Sequence, residues 1–250
     1  MRSFTSLLLW LTFSLAARLH ATESMEHEGA LYHLHRVAAA DHAKLDLRWT
    51  DPQGKPLSDF GGLQKQLTSE GKTLLFATNA GIYERGPKPC GLTISAFKEL
   101  VPLNLADGYG NFFLKPNGVF YLDAITGPGI VTSTEYPSLN LRPRIANQSG
   151  PILLRKGAIH PAFQINSPNK RQRSAVGIVT ATKEIVFVMS DREDRVKGRV
   201  TFHQLSRFFL HLGCQNALYL DGDISQMITS PAPETQFAPN TFAAMFVVID

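Results

Sequence analysis

Apolar and polar residues alternate through Leu31–Val37 and again through Ala43–Trp49, and each stretch predicts a strand. Leu45, Leu47 and Trp49 fall on one face of the second. Asp51-Pro52-Gln53-Gly54 reads as a turn, and Ser58 as the N-cap of a short helix through Leu63 and Leu67 that closes at Gly71. Thr73–Thr78 is apolar enough for a buried strand. Phe112–Lys115, the turn Pro116-Asn117-Gly118 and Val119–Asp123 predict a hairpin, because Asn-Gly favours tight hairpin turns. Ile152–Arg155 predicts a strand ending at Lys156-Gly157. Ala175–Thr180 and Ile185–Met189 predict a second hairpin. A helix follows: Thr201 caps it, Phe202, Leu205, Phe209 and Leu212 line one face, and Gly213 stops it. Ala217–Leu220 and Phe242–Ile249 close the chain as buried strands.

Many strands and few helices predict an α+β fold, a single β-rich domain with mixed or antiparallel sheet. Regular strand–helix alternation is missing, which argues against a doubly wound or barrel α/β fold. The polar, basic run Ser167 to Arg173 is the expected mobile loop, or a linker if the domain subdivides.

The first residues follow a different rule. Arg2 precedes an apolar run through Leu7, Leu8, Leu9, Trp10, Leu11 and Phe13, and small residues follow at Ser14, Ala16, Ala17 and Ala21. The run is shorter than the ~20 apolar residues of a membrane span, so residues 1–21 read as a signal peptide and 22–250 as the domain. Removing the leader takes away Arg2 and Arg18, so the formal charge falls from +4 to +2. That near balance removes the electrostatic reason to bind nucleic acid. The expected location is periplasmic or secreted, with no stable membrane anchor once the leader is gone. A hydrophobic fraction of 44% and a charged fraction of 18% exclude a disordered chain and a polytopic membrane protein. The 2 cysteines exclude a disulfide scaffold. In an exported protein Cys90 and Cys214 can pair, or each can serve as a small buried apolar residue.

Polar residues and glycines gather at strand ends in four stretches, where a rigid scaffold can carry chemistry. Thr78-Asn79-Ala80-Gly81-Ile82-Tyr83-Glu84-Arg85 offers Asn79 to orient a hydroxyl or acid and Glu84 as an acid or base; a plain turn with a solvated Glu-Arg pair is the simpler account of Glu84. Asn147-Gln148-Ser149-Gly150 is a turn whose backbone N–H groups can bind an anion, and it also matches a glycosylation sequon. His160 follows the next strand and can transfer a proton or hold phosphate, or be an ordinary surface histidine. Arg173 precedes a buried strand, where its planar fork suits phosphate or carboxylate. The sharpest stretch is Asp221-Gly222-Asp223-Ile224-Ser225, directly after an apolar strand. Paired carboxylates at a sheet edge suit glycoside cleavage, and also a divalent cation. His33 and His35 are spaced as a His-x-His pair without a third ligand and read as a solvated face. Asp191–Arg199 mixes signs and reads as a solvated loop.

In order along the chain, NAGIY with Pro89-Cys90-Gly91-Leu92, RSAVG and LYLDGDIS resemble motifs of the phosphodiester glycosidase family. FFLKPNGVFYL, QSGPILLRKGAIHPAF and CQNALYLDG resemble an exported bacterial branch of it, so the likeness spans about residues 72–249. The resemblance implies hydrolysis of a glycosyl-1-phosphodiester, with Asn79, Gly81, Arg173, Asp221, Gly222 and Ser225 lining the site. Where the family has glycine this chain has Asp223, a carboxylate that repels phosphate unless a cation or a protein Arg offsets it. The expectation is therefore an exported hydrolase acting on a carbohydrate or glycosyl-phosphate substrate of the cell envelope. Asp221 is its first catalytic carboxylate and Glu84 or Asp223 its second. Arg173 and the Gln148-Ser149-Gly150 turn hold the phosphate. The competing expectation is a non-catalytic envelope glycan-binding protein built from the same groups. Cys90 and Cys214 each flank one of these motifs, so a disulfide between them would brace the site.

Overall fold

The computed structural model describes residues 22–230 and 241–250, so the expected signal peptide, residues 1–21, lies outside the described residues. Every strand pairing among the described residues is antiparallel. Expressed in chain order, the strands are β1 (Glu23–His27), β2 (Ala30–Val37), β3 (Leu45–Arg48), β4 (Leu74–Asn79), β5 (Tyr83–Glu84), β6 (Lys88–Pro89), β7 (Thr93–Ser95), β8 (Lys98–Val101) and β9 (Gly118–Asp123). They continue as β10 (Gly127–Thr132), β11 (Pro143–Ser149), β12 (Ile152–Arg155), β13 (Ala158–Ile159), β14 (Ser174–Val179), β15 (Ile185–Ser190), β16 (Cys214–Asp221), β17 (Met227–Thr229) and β18 (Met245–Ile249). Sheet one has the order β1-β2-β15-β14-β16-β12-β13, sheet two β10-β9-β11-β7-β8, and sheet three β17-β4-β18-β3. A small hairpin joins β5 to β6. Helix α1 is Phe60–Ser69 and α2 is Phe202–His211.

Strands β14 and β15 and the second half of β16 are nearly continuous apolar runs because both of their faces are buried. In β16, Leu218 and Leu220 face a core shared by all three sheets, while Ala217 and Tyr219 face the layer under α2. Phe246 and Val248 of β18 face the same shared core, and Met245 and Val247 face α1. Phe120, Phe187 and Phe246 meet at its centre, the Phe120 and Phe187 ring centroids lying 5.4 and 5.1 Å from that of Phe246. Helix α2 covers sheet one through Leu205, Phe208 and Phe209, and α1 covers sheet three through Phe60, Leu63 and Leu67. Thr201 and Gln204 form the capping box of α2, and Gly213 ends it with φ +81°.

Several expectations change. No hairpin forms at Pro116-Asn117-Gly118. Asn117 turns its side chain inward, donating to the Phe112 carbonyl at 2.8 Å and accepting from Ser133. Strand β9 instead turns into β10, where the Asp123 carboxylate accepts the N–H groups of Ile125 and Thr126 at 3.0 and 2.9 Å. Helix α1 is capped by Asp59, whose Oδ1 accepts the Gly62 N–H at 2.7 Å, and not by Ser58. The predicted second strand is shortened because Ala39–Lys44 forms a 3₁₀ turn. The end of the basic run 167–173 is not a loose loop: Gln172 and Arg173 are buried and Arg171 pairs with Val200. His33 and His35 part company, His33 Nε2 meeting Asp191 Oδ2 at 2.6 Å and His35 stacking on Phe76 at 3.8 Å inside the core. Both cysteines are free, Cys214 being buried in the layer under α2 and Cys90 half-buried beside β6.

Phe246→Ala leaves a cavity where the three sheets meet. The expected cost is about 3–5 kcal/mol, read as a fall in the urea midpoint with an unchanged slope. A cost below roughly 1 kcal/mol in that titration would show that this core does not hold the sheets together.

Candidate active site

Strand β16 is the spine of the site. It runs between two apolar layers and ends in Asp221, where its neighbours change from apolar to polar. The peptide unit joining Leu220 to Asp221 is gripped from both sides. Ser149 of sheet two donates to the Leu220 carbonyl at 3.0 Å, and Ser174 of β14 accepts the Asp221 N–H at 3.2 Å. Ser149 Oγ also accepts the Ile82 N–H at 3.3 Å, which pins the stretch after Gly81. A Cβ on Gly81 would come within 2.7 Å of Asn147 Oδ1 and 2.8 Å of Ser149 Cβ, so only glycine lets this turn pack on β11.

Asn79, at the end of β4, joins the same cluster. Its Nδ2 donates to Ser174 Oγ at 3.2 Å and Ser225 Oγ at 3.4 Å, and its Oδ1 accepts the Gln226 N–H at 3.2 Å. Ser174 and Ser225 are 2.8 Å apart, and both are fully buried. Residues from all three sheets therefore converge behind Asp221. The Asp-Gly-Asp stretch closes as a turn, with the Ser225 N–H donating to the Gly222 carbonyl at 2.8 Å.

Asp221 is half-buried, and its Oδ1 accepts the Gly222 N–H at 2.7 Å. Burial raises its pKa to about 6, the Gly222 N–H opposes the rise, and the charge of Asp223 adds to it. Burial and then the Asp221 charge raise the Tyr83 phenol. Burial, Glu84 and Asp221 together push the Cys90 thiol up to about 11. Tyr83 and Cys90, beside the β5–β6 hairpin, thus lie within electrostatic reach of Asp221, and the Tyr83 hydroxyl donates to the Thr241 carbonyl at 2.5 Å. Glu84 is exposed on that hairpin. Asp223 is also exposed, and pairs with Arg199 at 3.1 Å.

Arg173 is only 1% exposed. Its Nε donates to the Val200 carbonyl at 2.9 Å and one Nη to the Asn169 carbonyl at 3.0 Å. Its guanidinium lies 3.7 Å over the Phe202 ring and 5.7 Å from the Tyr219 ring. Among the described residues no carboxylate forms an ion pair with it. Burial lowers its pKa, and Tyr219 and Asp223 partly offset that. A Cβ on Gly222 would lie 2.9 Å from the Tyr219 hydroxyl, so Tyr219 stands between Arg173 and the Asp-Gly-Asp turn. Arg173 is therefore a fixed charge behind the site and not the open two-pronged fork expected from its position.

Other expected contacts have different partners. Gln148 Oε1 accepts the N–H groups of Leu92 and Asn104, and its Nε2 donates to the Asn104 carbonyl. Its amide braces the backbone and is not turned toward a ligand. Asn147, Gln148 and Ser149 are the end of strand β11, paired with β9, and not the expected turn; with Ser149 engaged as described and buried Gly150 packed against Asn117, they form no open anion nest. Asn147 is buried within β11, out of reach of glycosylation in the folded chain. His160 is buried, stacks on Phe163 at 4.6 Å, and accepts the Ala162 N–H at 3.2 Å. Burial lowers its pKa, and neither Asp221 nor Asp223 contributes. Among the described residues no group of three or more His, Cys, Asp or Glu side chains is placed to hold a metal ion.

Sequence reasoning missed Ser174, Tyr83, Tyr219 and Arg199. Ser174 and Tyr83 stand inside stretches already singled out, whereas nothing in the mixed-sign run around Arg199 marked it.

The comparisons fit this architecture. Residues 72–245 match the family described as phosphodiester glycosidase. The uncharacterized protein YigE of Escherichia coli (strain K12) is 32% identical over 184 residues, which are 74% of this chain and 69% of YigE. The catalytic domain of zebrafish N-acetylglucosamine-1-phosphodiester alpha-N-acetylglucosaminidase, auto-inhibited by its pro-peptide, superposes with a TM-score of 0.59 at 14% identity. That match covers 91% of this chain and 81% of the zebrafish one. A protein of Burkholderia pseudomallei named as exported superposes with a TM-score of 0.54 at 10% identity, over 93% of this chain and 76% of its own. By the extent of the family match and the identity to YigE, the chain belongs to the phosphodiester glycosidase family.

Proposed function

We propose that the protein is an exported hydrolase of a glycosyl phosphodiester, or a related glycoconjugate of the cell envelope, with Asp221 as its proton-carrying carboxyl. The observation that carries this reading is the Asp221 carboxyl itself. Its backbone is held from two sheets and its pKa is raised to about 6, close to where a general acid must work. An ordinary glycan-binding aspartate has no need of that shift, which favours catalysis over binding alone.

In the reaction the bond between the anomeric carbon and the phosphate oxygen breaks. Asp221 delivers its proton to the departing oxygen, and water supplies the hydroxyl that the sugar gains. Arg173, fixed behind Tyr219, supplies positive potential in a partly dry site. Asn79, Ser174 and Ser225 position the turn that carries Asp221. Gly81 and Gly222 let the backbone approach closely. Glu84, on the exposed hairpin, is the second carboxylate, available to activate water. Export is supported by the leader-like residues 1–21 and by the Burkholderia neighbour named as exported. Among the described residues no helix is long and apolar enough to cross a membrane.

Two outcomes are expected. With a glycosyl phosphodiester as substrate, kcat/KM falls as pH rises through about 6, the value at which Asp221 loses its proton; a profile that rises through this range contradicts the acid role. Asp221→Asn removes a group whose folded pKa lies above its unfolded value. The native state holds that proton more tightly, so wild-type stability declines as pH rises between about 4 and 6. The variant is therefore more stable at pH 7 by roughly 1–3 kcal/mol, with the gain vanishing below about pH 4. Its turnover falls by ~10²–10⁴. Thermal melts across pH and product assays check both, and full turnover in a folded Asp221→Asn protein refutes the assignment.

A further inference from the structure

Arg173 is too buried to be the first cation a phosphate meets. Arg199 is not. Its side chain is 29% exposed, and it reaches Asp223 at 3.1 Å, joining the segment before α2 to the Asp-Gly-Asp turn. The backbone beside Arg199 is firmly held. Val200 exchanges backbone hydrogen bonds with Arg171 at 2.9 and 3.1 Å and gives its carbonyl to Arg173 Nε. Ser190 Oγ donates to the Gly198 carbonyl at 2.8 Å and accepts the Arg173 N–H at 3.0 Å. A Cβ on Gly198 would sit 1.9 Å from the Asp191 carbonyl oxygen, so the chain can only pass this point as glycine. Arg199 is thus presented from a locked strap that also holds Arg173, at the mouth of the turn that carries Asp221.

Its partner Asp223 is more exposed, at 58%. An exposed ion pair of this kind contributes little to stability, so exchanging one anion for another across it is cheap. A phosphate group matches the guanidinium better than a single carboxylate oxygen does, because it can accept two parallel N–H bonds. We propose that Arg199 is the phosphate-contacting cation of this protein and that Asp223 is the internal counter-anion that phosphate displaces. The proposal rests on the phosphodiester reading above. It also accounts for a carboxylate where the family has glycine: the repulsion Asp223 would impose is balanced by Arg199.

Calorimetric titration with inorganic phosphate tests it without turnover. Arg199→Ala is expected to weaken phosphate roughly tenfold or more, and Arg199→Lys to restore much of the loss as a point charge. Asp223→Asn removes the competing anion and is expected to tighten phosphate about two- to fivefold. Far-ultraviolet circular dichroism confirms that each variant is folded. Wild-type protein that binds no phosphate overturns the proposal. So does Arg199→Ala with unchanged affinity, or Asp223→Asn that binds more weakly. If phosphate binding shifts as expected but no glycosyl phosphodiester is cleaved, the functional reading falls and the Arg199 assignment stands.

Discussion

The peptide unit between Leu220 and Asp221 is where this structure is most constrained. Its carbonyl is taken by Ser149 from sheet two and its N–H by Ser174 from within sheet one. Both serines are fully buried, so neither group has water as an alternative. An unpaired polar group there costs on the order of 1–3 kcal/mol, and small hydroxyls are the side chains that satisfy it without opening a cavity. Asn79 and Ser225 extend the same network into sheet three. The three sheets are thus tied together by apolar contact at the core and by hydrogen bonds at its polar end, and the second of these sets where Asp221 stands.

That arrangement has an electrostatic consequence. A carboxyl held half out of water at a strand end binds its proton more tightly than a free one, so ionising it works against folding at neutral pH. Arg173 carries the same tension in the opposite sense. It is a buried cation balanced by carbonyls and an aromatic face instead of a carboxylate. Proteins tolerate such conflicts where chemistry needs them and compensate with packing elsewhere. Here the compensation is visible in strands β14, β15, β16 and β18, whose apolar residues are buried on both faces.

Much of this was legible along the chain. Helix α2 was readable from Thr201, its apolar stripe and Gly213, because capping and periodicity are local. The buried strands β14, β15 and β16 of sheet one were readable because burial on both faces leaves a nearly unbroken apolar run. The edge strands β1 and β8 were not, since half-exposed edges carry a weaker pattern; nor were β7, which has three residues, and β11, whose end is polar although buried. The Asn117-Gly118 turn misled for a related reason. Its local preference for a hairpin gives way to the buried hydrogen bonds Asn117 makes to Phe112 and Ser133.

At the site, sequence alone determined which residue types stood at strand ends: Asn79, Arg173, Asp221 and their glycines, in the order that resembles the family. It determined them because a strand end preceded by an apolar run is a local feature of the chain. Only the tertiary structure decided their roles. It turned Gln148 and Ser149 into braces, sank Arg173 behind Tyr219, set His160 apart from the carboxylates and gave Asp223 a partner in Arg199. Burial and partnership depend on residues far away in sequence, and those two properties set whether a charge is buffered, exposed or available for chemistry.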